Sequence, residues 1–159
     1  MYRKFIKRLL DFILSLLALI VLSPVFLVIS ISIKVNSKGP VFFLQERLGK
    51  NGKVFKIIKF RTMIVNAEHI GDGLKIKSEN DNRITKVGKI LRKTSLDELP
   101  QLINVIKGDM SIVGPRPPVT YYPHKFDEYS EKQKKRFEVR PGITGLAQIR
   151  VRNSASWDE

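Results

Sequence analysis

Cysteine is absent from this 159-residue chain, which removes disulfides, thiolate catalysis and cysteine-ligated zinc together. Histidine is nearly absent too. His69 and His124 are the two present, too few for an imidazole metal cluster, and each reads as a surface or loop residue. Acidic residues are scarce: Asp+Glu 15 against Lys+Arg 29, a formal net charge of +14 and a pI near 10.1. Such an excess implies a polyanionic partner, whether nucleic acid, an anionic membrane surface or phosphate-bearing substrates. Repeats and low-complexity tracts are missing as well, and the length suits one domain with a modest core.

What the chain does have, first, is apolar length. Arg3, Lys4, Lys7 and Arg8 are interleaved with Tyr2, Phe5 and Ile6, and Leu9 to Ile33 is then almost wholly apolar. A secretory signal would show a shorter apolar core and a small-residue cleavage site. The stretch of about 25 residues is long enough for a tilted transmembrane helix. Three features argue against simple spanning. Asp11 can pair with Lys7 or Arg8 on one helix face and stay at the interface. Ser23-Pro24 falls mid-stretch, where proline removes a backbone bond and kinks a helix. Both flanks are basic, with Lys34, Lys38, Arg47, Lys50 and Lys53 following the apolar run, which favours both ends on the cytoplasmic side. These residues leave a kinked spanning helix and a broken, re-entrant one both open. The chain divides at this point into an anchoring segment, 1–35, and a soluble-looking remainder, 36–159.

Gly39-Pro40 marks a turn. Val41 to Leu44 and Val54 to Phe60 then flank Gly49-Lys50-Asn51-Gly52, whose Asn-Gly is a strong hairpin signal. Lys59 and Arg61 share one side of the second strand at period two, as a phosphate-facing pair or as a solvated face. Asn66 to Arg83 is polar and reads as a loop with one short helix at most. Ile84, Val87, Ile90 and Leu91 fit helical spacing, with Lys86, Lys89, Arg92 and Lys93 opposite. Such a basic amphipathic helix can lie on an anionic bilayer.

That helix runs into Thr94-Ser95-Leu96-Asp97-Glu98-Leu99-Pro100-Gln101-Leu102, two adjacent carboxylates in an otherwise basic chain, with Arg92 close by in sequence. Ser95 with Glu98 reads as a capping box, while Pro100 moves the helix start toward Leu99 or Pro100. A helix N-terminus beside Asp97 and Glu98 favours the ionised Asp97 and can hold a phosphate there; simple capping explains the pair equally. Leu102, Ile103 and Ile106 continue a core-facing helix that ends at Gly108. In Gly114-Pro115-Arg116-Pro117-Pro118, prolines on both sides fix the backbone at Arg116 and lower the entropy cost of placing its guanidinium. A rigid arginine suits bidentate phosphate binding; a structural turn with an exposed arginine is the alternative. Tyr129 to Val139 reads as a charged helix capped by Ser130, Arg140 to Gly145 as a turn, and Leu146 to Val151 as a strand.

In this order the motifs resemble the small bacterial monotopic phosphoglycosyl transferases, the initiating sugar transferases of capsule, glycan and lipopolysaccharide assembly. The matching pieces are the basic start with Phe12 to Ile33 around Ser23-Pro24, Lys56-Ile57-Ile58-Lys59-Phe60-Arg61-Thr62-Met63, and Ser95 to Leu102. They continue with Lys107-Gly108-Asp109-Met110-Ser111, Gly114-Pro115-Arg116-Pro117 and Arg140-Pro141-Gly142-Ile143-Thr144-Gly145. The resemblance implies an α+β chain: a re-entrant, broken N-terminal membrane helix, then a small cytoplasmic helical domain with a β-hairpin and amphipathic surface helices. It implies an enzyme on the cytoplasmic face of the bacterial inner membrane that moves a sugar-1-phosphate from a UDP-sugar to polyprenyl phosphate. The route runs through an aspartyl-phosphosugar, releases UMP and uses Mg²⁺. Asp97 then matches the nucleophile and Glu98 its partner and metal ligand. Arg116, Arg92 and Lys59 match phosphate-side cations, and Arg140 a nucleotide-pocket residue. Anionic lipids and downstream glycosyltransferases are the further partners. Family members usually continue past the point where this chain ends, so the resemblance also implies a C-terminally shortened chain.

Two other classes fit parts of the pattern. A membrane-anchored basic module without catalysis matches the charge. Nucleic acid does not fit, because the aromatics lie in apolar segments without the interleaving of single-strand binders. A structural scaffold within a larger assembly enzyme predicts no Mg²⁺-dependent nucleotide-sugar binding.

Overall fold

The apolar N-terminal stretch forms two helices rather than one. In the computed structural model, which describes residues 5–67, 70, 81–121 and 123–150, α1 (Lys7–Val21) and α2 (Ser23–Asn36) are separated at Leu22 and bent by 62° there. Pro24 lies in the first turn of α2, where its missing N–H costs nothing because first-turn donors have no partner inside the helix. The break predicted at Ser23-Pro24 is therefore a helix start as much as a kink. Among the described residues no single helix is long and apolar enough to cross a membrane, whereas this bent pair passes the test together.

α1 is inverted relative to a helix of a soluble core. Its buried residues are Asp11 and Ser15, while Leu9, Leu10, Ile13, Leu14 and Leu17 are exposed, Leu14 at 53%. α2 leaves Leu27, Val28 and Ile31 similarly open, and buries Ile29 and Ile33.

The elements that follow are β1 (Phe42–Leu48), β2 (Val54–Phe60), α3 (Lys86–Thr94), a 3₁₀ turn (Leu96–Glu98), α4 (Gln101–Lys107) and β3 (Ser111–Val113). A second 3₁₀ turn (Phe126–Glu128) leads to α5 (Glu131–Lys134), a third (Lys135–Glu138), β4 (Gly142–Thr144) and α6 (Leu146–Arg150). The α+β class holds. β1 and β2 form one two-stranded sheet, β3 and β4 another. The hairpin turns on Asn51 (φ 55°) and Gly52 (φ 73°), closed by Lys53 N–H donating to Lys50 O at 3.1 Å. Positive φ at both central positions is what Asn-Gly accepts with least strain.

Two compact units emerge. One comprises Met1–Ile20, Leu44–Ile58 and Gln101–Glu159, the other Val21–Phe43 and Lys59–Pro100. In the first, Phe55 and Ile57 of β2 bury with Val105, Met110, Ile112 and Ile143, and Leu48 with Tyr129, Phe137 and Phe126. Asn104, fully buried, is satisfied by backbone: its amide donates to Lys56 O (2.8 Å) and its oxygen accepts from Ile58 N–H (3.0 Å). β3 and β4 run parallel, Ser111 opposite Gly142 and Val113 opposite Thr144. In the second unit, Ile29 and Ile33 of α2 pack on Phe60 and Leu91, joined by Val87, Leu96 and Leu99. Complete burial of an aromatic such as Phe60 contributes about 2–3 kcal/mol.

Several local expectations are corrected. Leu146 to Arg150 is helix, not strand: Ile149 N–H donates to Gly145 O at 3.1 Å, and the strand has already been spent on Gly142–Thr144, which the sequence reading placed in a turn. Tyr129 to Val139 is not one helix. Ser130 does cap, accepting from Gln133 N–H at 3.3 Å, but α5 lasts four residues before tightening into 3₁₀. His69 and most of the polar loop from Asn66 to Arg83 lie outside the described residues.

Candidate functional site

The carboxylate stretch follows α3 directly. α3 ends at Ser95, which takes the left-handed conformation (φ 59°) and donates its N–H to Arg92 O at 3.3 Å. Ser95 is therefore a C-cap, and the expected capping box with Glu98 does not form. Leu96–Glu98 then makes one 3₁₀ turn, closed by Glu98 N–H to Ser95 O and Leu99 N–H to Leu96 O. Residues three apart eclipse in a 3₁₀ turn, so Leu96 and Leu99 both reach the apolar core of their unit. Asp97 and Glu98 are left to the other side. Pro100, buried, separates this turn from α4.

The two carboxylates differ sharply. Glu98 accepts from Lys59 Nζ at 2.7 Å, with side chains 20% and 15% exposed. Lys59 is delivered by the last turn of the hairpin strand, one residue before the anchoring Phe60. Asp97 is half-buried, and among the described residues no other side chain donates a hydrogen bond to it. Burial pushes its carboxyl up from the ordinary range; Lys59 pulls it down, Glu98 pushes it further up, and Arg92 and its own backbone N–H pull it down. The expectation that a helix N-terminus holds Asp97 low is thus reversed, because desolvation of a carboxylate in a short turn outweighs the local dipole. Arg92, on the last turn of α3, is half-buried. Three of the expected cations' positions are thereby resolved: Lys59 and Arg92 act on Asp97, and Arg61 does not. Arg61 is buried and donates to Ser37 O (2.9 Å), Ser37 Oγ (3.0 Å) and Lys38 O, tying the strand end to the end of α2.

Arg116 and Arg140 belong to the other unit. Arg116 is exposed on a loop whose backbone is held on both sides. Pro115 O accepts from Gly142 N–H (3.0 Å), Arg116 O from Arg136 (3.1 Å), Pro117 O from Arg47 (3.1 Å) and Pro118 O from Leu48 N–H (2.9 Å). A shallow pocket borders it, walled by Pro117, Phe137, Val139 and Pro141 with Arg136. Arg140 donates through Nε to Gly108 O at 2.9 Å, capping the end of α4.

A profile of the family described as bacterial sugar transferase matches residues 2–159. The chain belongs to the bacterial sugar transferase family. It is 50% identical over 143 residues to a UDP-glucose:undecaprenyl-phosphate glucose-1-phosphate transferase of Klebsiella pneumoniae, covering 90% of this chain and 30% of that protein. A UDP-N-acetylgalactosamine-undecaprenyl-phosphate N-acetylgalactosaminephosphotransferase of Aeromonas hydrophila is 45% identical over 145 residues, 91% of this chain and 34% of the relative. A sugar transferase of Bacillus subtilis, EpsL, uncharacterized, is 44% identical over 154 residues, 97% of this chain and 73% of the relative. The chain spans about a third of the length of the first two.

Sequence reasoning missed Ser111, Asn104 and the inward role of Arg8. Arg8, a basic flank of the apolar stretch and one of two candidate partners for Asp11, instead donates to Ile106 O at 2.7 Å and to Val105 O. For Asn104 a signal existed: a lone amide inside the apolar run Leu102 to Ile106 needs buried partners.

Proposed function

We propose that this chain transfers a sugar-1-phosphate from a UDP-sugar to polyprenyl phosphate, undecaprenyl phosphate by the chemistry its relatives' names carry, at the cytoplasmic face of the bacterial inner membrane. An oxygen of Asp97 attacks the phosphorus that bears the sugar. The bond from that phosphorus to the UMP oxygen breaks, and UMP leaves with the electron pair. An oxygen of the lipid phosphate then attacks the same phosphorus, and the Asp97 carboxylate departs unchanged. One site thereby serves a soluble and a lipid-bound substrate in turn, as covalent catalysis allows. The observation that carries this reading is the Asp97 carboxylate itself: partly desolvated, given no side-chain hydrogen bond among the described residues, and within the field of Lys59 and Arg92. A carboxylate partly removed from water, with its own backbone N–H as its hydrogen-bond donor, is more nucleophilic than a fully solvated one.

Attack of an anion on a diphosphate needs compensating positive charge. Lys59 and Arg92 supply part of it beside Asp97; by the family resemblance Arg116 is a further phosphate-side cation and Arg140 a nucleotide-pocket residue, and Mg²⁺ is the expected cofactor. Among the described residues no group of three or more His, Asp or Glu forms a metal cage, yet Mg²⁺ ordinarily takes one or two carboxylates together with substrate phosphates and water. Adjacent Asp97 and Glu98 fit that donor set, with Glu98 the residue to hold the ion. When bound, the ion would neutralise charge on the diphosphate.

The inside-out α1 and the open apolar side chains of α2 support an anchoring pair that enters one leaflet and returns. Polar Asp11 and Ser15 are sequestered while leucines face outward, the arrangement that lipid rather than water rewards. Lys86, Lys89 and Lys93, exposed on α3, suit anionic headgroups. The product would feed glycosyltransferases that extend a lipid-linked sugar. The test is a panel of UDP-sugars with polyprenyl phosphate, scored by UMP release, with rapid quench and digestion to locate the adduct. The sugar-phosphate mass on the peptide carrying Asp97 is expected; turnover with the adduct elsewhere, or with none, would overturn the route.

A further inference from the structure

Asp11 is a buried carboxylate that the proposed chemistry does not use. It is 6% exposed, sits in the second turn of α1, and is answered by donors from opposite ends of the sequence. Lys7 Nζ approaches both of its oxygens, at 2.7 and 2.8 Å. Ser111 Oγ donates to Oδ2 at 2.7 Å, and Ile112 N–H points to Oδ1 at 3.4 Å. Lys7 Nζ also donates to Ser111 Oγ at 2.6 Å, closing a three-membered polar ring between helix and strand. A buried ion pair is weak evidence for stability, because desolvation offsets the attraction; its better-attested use is to fix register.

The strand it grips is β3, which runs from Ser111 directly into Gly114-Pro115-Arg116-Pro117. We infer that Asp11 is a positioning residue for Arg116: the Lys7–Asp11–Ser111 ring sets the register of β3 and hence the place of the arginine loop. The inference rests on the phosphate-binding role assigned to Arg116 above. Three observations join the two ends. Ser111 N–H donates to Pro141 O at 2.8 Å, Gly114 N–H to Thr144 O at 2.9 Å, and Gly142 N–H to Pro115 O at 3.0 Å. A strand of three residues is held by its pairing with β4 and by Ile112 in the core, and the polar ring adds a directional hold at its first residue. A Cβ at Gly142 would collide with the backbone nitrogen of Gly114, so the pair tolerates little slip. A shift at Ser111 is therefore passed along β3 to the loop rather than absorbed.

The test is a double-mutant cycle on UDP-sugar affinity, measured by titration of the full chain in lipid nanodiscs. Arg116→Ala is expected to weaken binding about tenfold or more. Asp11→Ala should weaken it about five- to tenfold in the parent and less than about twofold in the Arg116→Ala background, because it acts through that arginine. Asp11→Asn, which keeps one of the two acceptor oxygens and the shape of the side chain, should restore part of the loss. Ser111→Ala gives an independent reading if Asp11→Ala does not fold, and should show the same dependence on Arg116. Equal losses in both backgrounds, or none from Asp11→Ala and Ser111→Ala, would overturn the positioning role while leaving Arg116 standing. No loss from Arg116→Ala itself would remove that arginine from the phosphate site and the inference with it.

Discussion

Asp11 and Asp97 are the same residue type in opposite surroundings. Asp11, in the first compact unit, is almost wholly buried and receives an ammonium, a hydroxyl and a backbone N–H. Asp97, in the second, is half-buried and takes a hydrogen bond from its own backbone N–H, with none from another side chain among the described residues. Burial with few donors raises the energy of a carboxylate, and burial with several immobilises it. The difference teaches how to separate a structural acid from a reactive one in a chain whose charge alone marks neither. What counts is whether the donors that a buried anion requires have already been provided by the fold, or are left for a substrate and a metal to provide.

The strongest way to break that contrast is to neutralise each acid without changing its shape. Asp97→Asn removes the attacking oxygen's charge and is expected to cut UMP release by about 10³-fold or more. Asp11→Asn keeps the side chain's shape and one of its two acceptor oxygens, so one of the Ser111 and Ile112 contacts survives, and it should stay within about threefold of the parent. Initial-rate assays with saturating UDP-sugar and lipid phosphate decide it. A mild Asp97→Asn beside a crippling Asp11→Asn would invert the assignment.

A smaller effect sharpens it. Since burial, then Lys59, Glu98 and Arg92 in turn, set the Asp97 carboxyl, with burial raising it, the acid limb of kcat/KM should lie above that of an ordinary aspartate. Lys59→Ala removes a positive neighbour, so Asp97 should hold its proton to higher pH and the limb should move alkaline. Glu98→Gln removes a negative neighbour, so the limb should move acid. Both variants are expected to lose about 10²-fold in rate, but the opposite directions of the two shifts are the informative readout. Shifts in the same direction would mean that another group carries the limb.

The legible parts were those whose physics is local. Asn51-Gly52 encoded its turn because the pair tolerates positive φ; Gly108 closed α4 for the same reason; Ser23-Pro24 broke the apolar run where proline must. The pairing of Asp11 with Lys7 followed from four-residue spacing on a helix. What failed depended on partners distant in sequence. Ser95 and Glu98 have capping-box spacing, but Lys59, 39 residues away, takes the glutamate, and Ser95 closes the preceding helix instead. Leu146 to Arg150 reads as a strand by its apolar content, yet it coils into helix directly after Gly142–Thr144 has paired with β3, Ile149 N–H donating to Gly145 O. Asp97 stood out in the sequence through the motifs around it, and its half-burial beside Lys59 and Glu98 is what the structure adds. Its raised carboxyl was not legible, because desolvation depends on how Leu96 and Leu99 turn the chain into the core.

Asp81 supplies the third case between the two extremes, and the smallest effect. Its carboxylate takes Arg83 side-chain and backbone hydrogen bonds, at 2.7 Å to Nη2 and 3.0 Å to the backbone N–H, and these hold its pKa at about 2, below the ordinary 3.8. Arg83, buried, also donates to Ala67 O (3.0 Å) and Ile70 O (2.7 Å), so the pair fastens a loop rather than a site. A carboxyl depressed in the folded state contributes stability that is complete above its unfolded pKa and is lost as pH falls through the folded one. The parent's Tm should therefore drop as pH is lowered from about 3.8 toward about 2, and in Asp81→Asn part of that slope should vanish, with UMP release at neutral pH changed little. Thermal melts of both chains in the same detergent measure it. Equal slopes would show that Asp81 is already as exposed to titration as an aspartate in the unfolded chain, and that its hydrogen bonds, unlike those of Asp11, hold nothing.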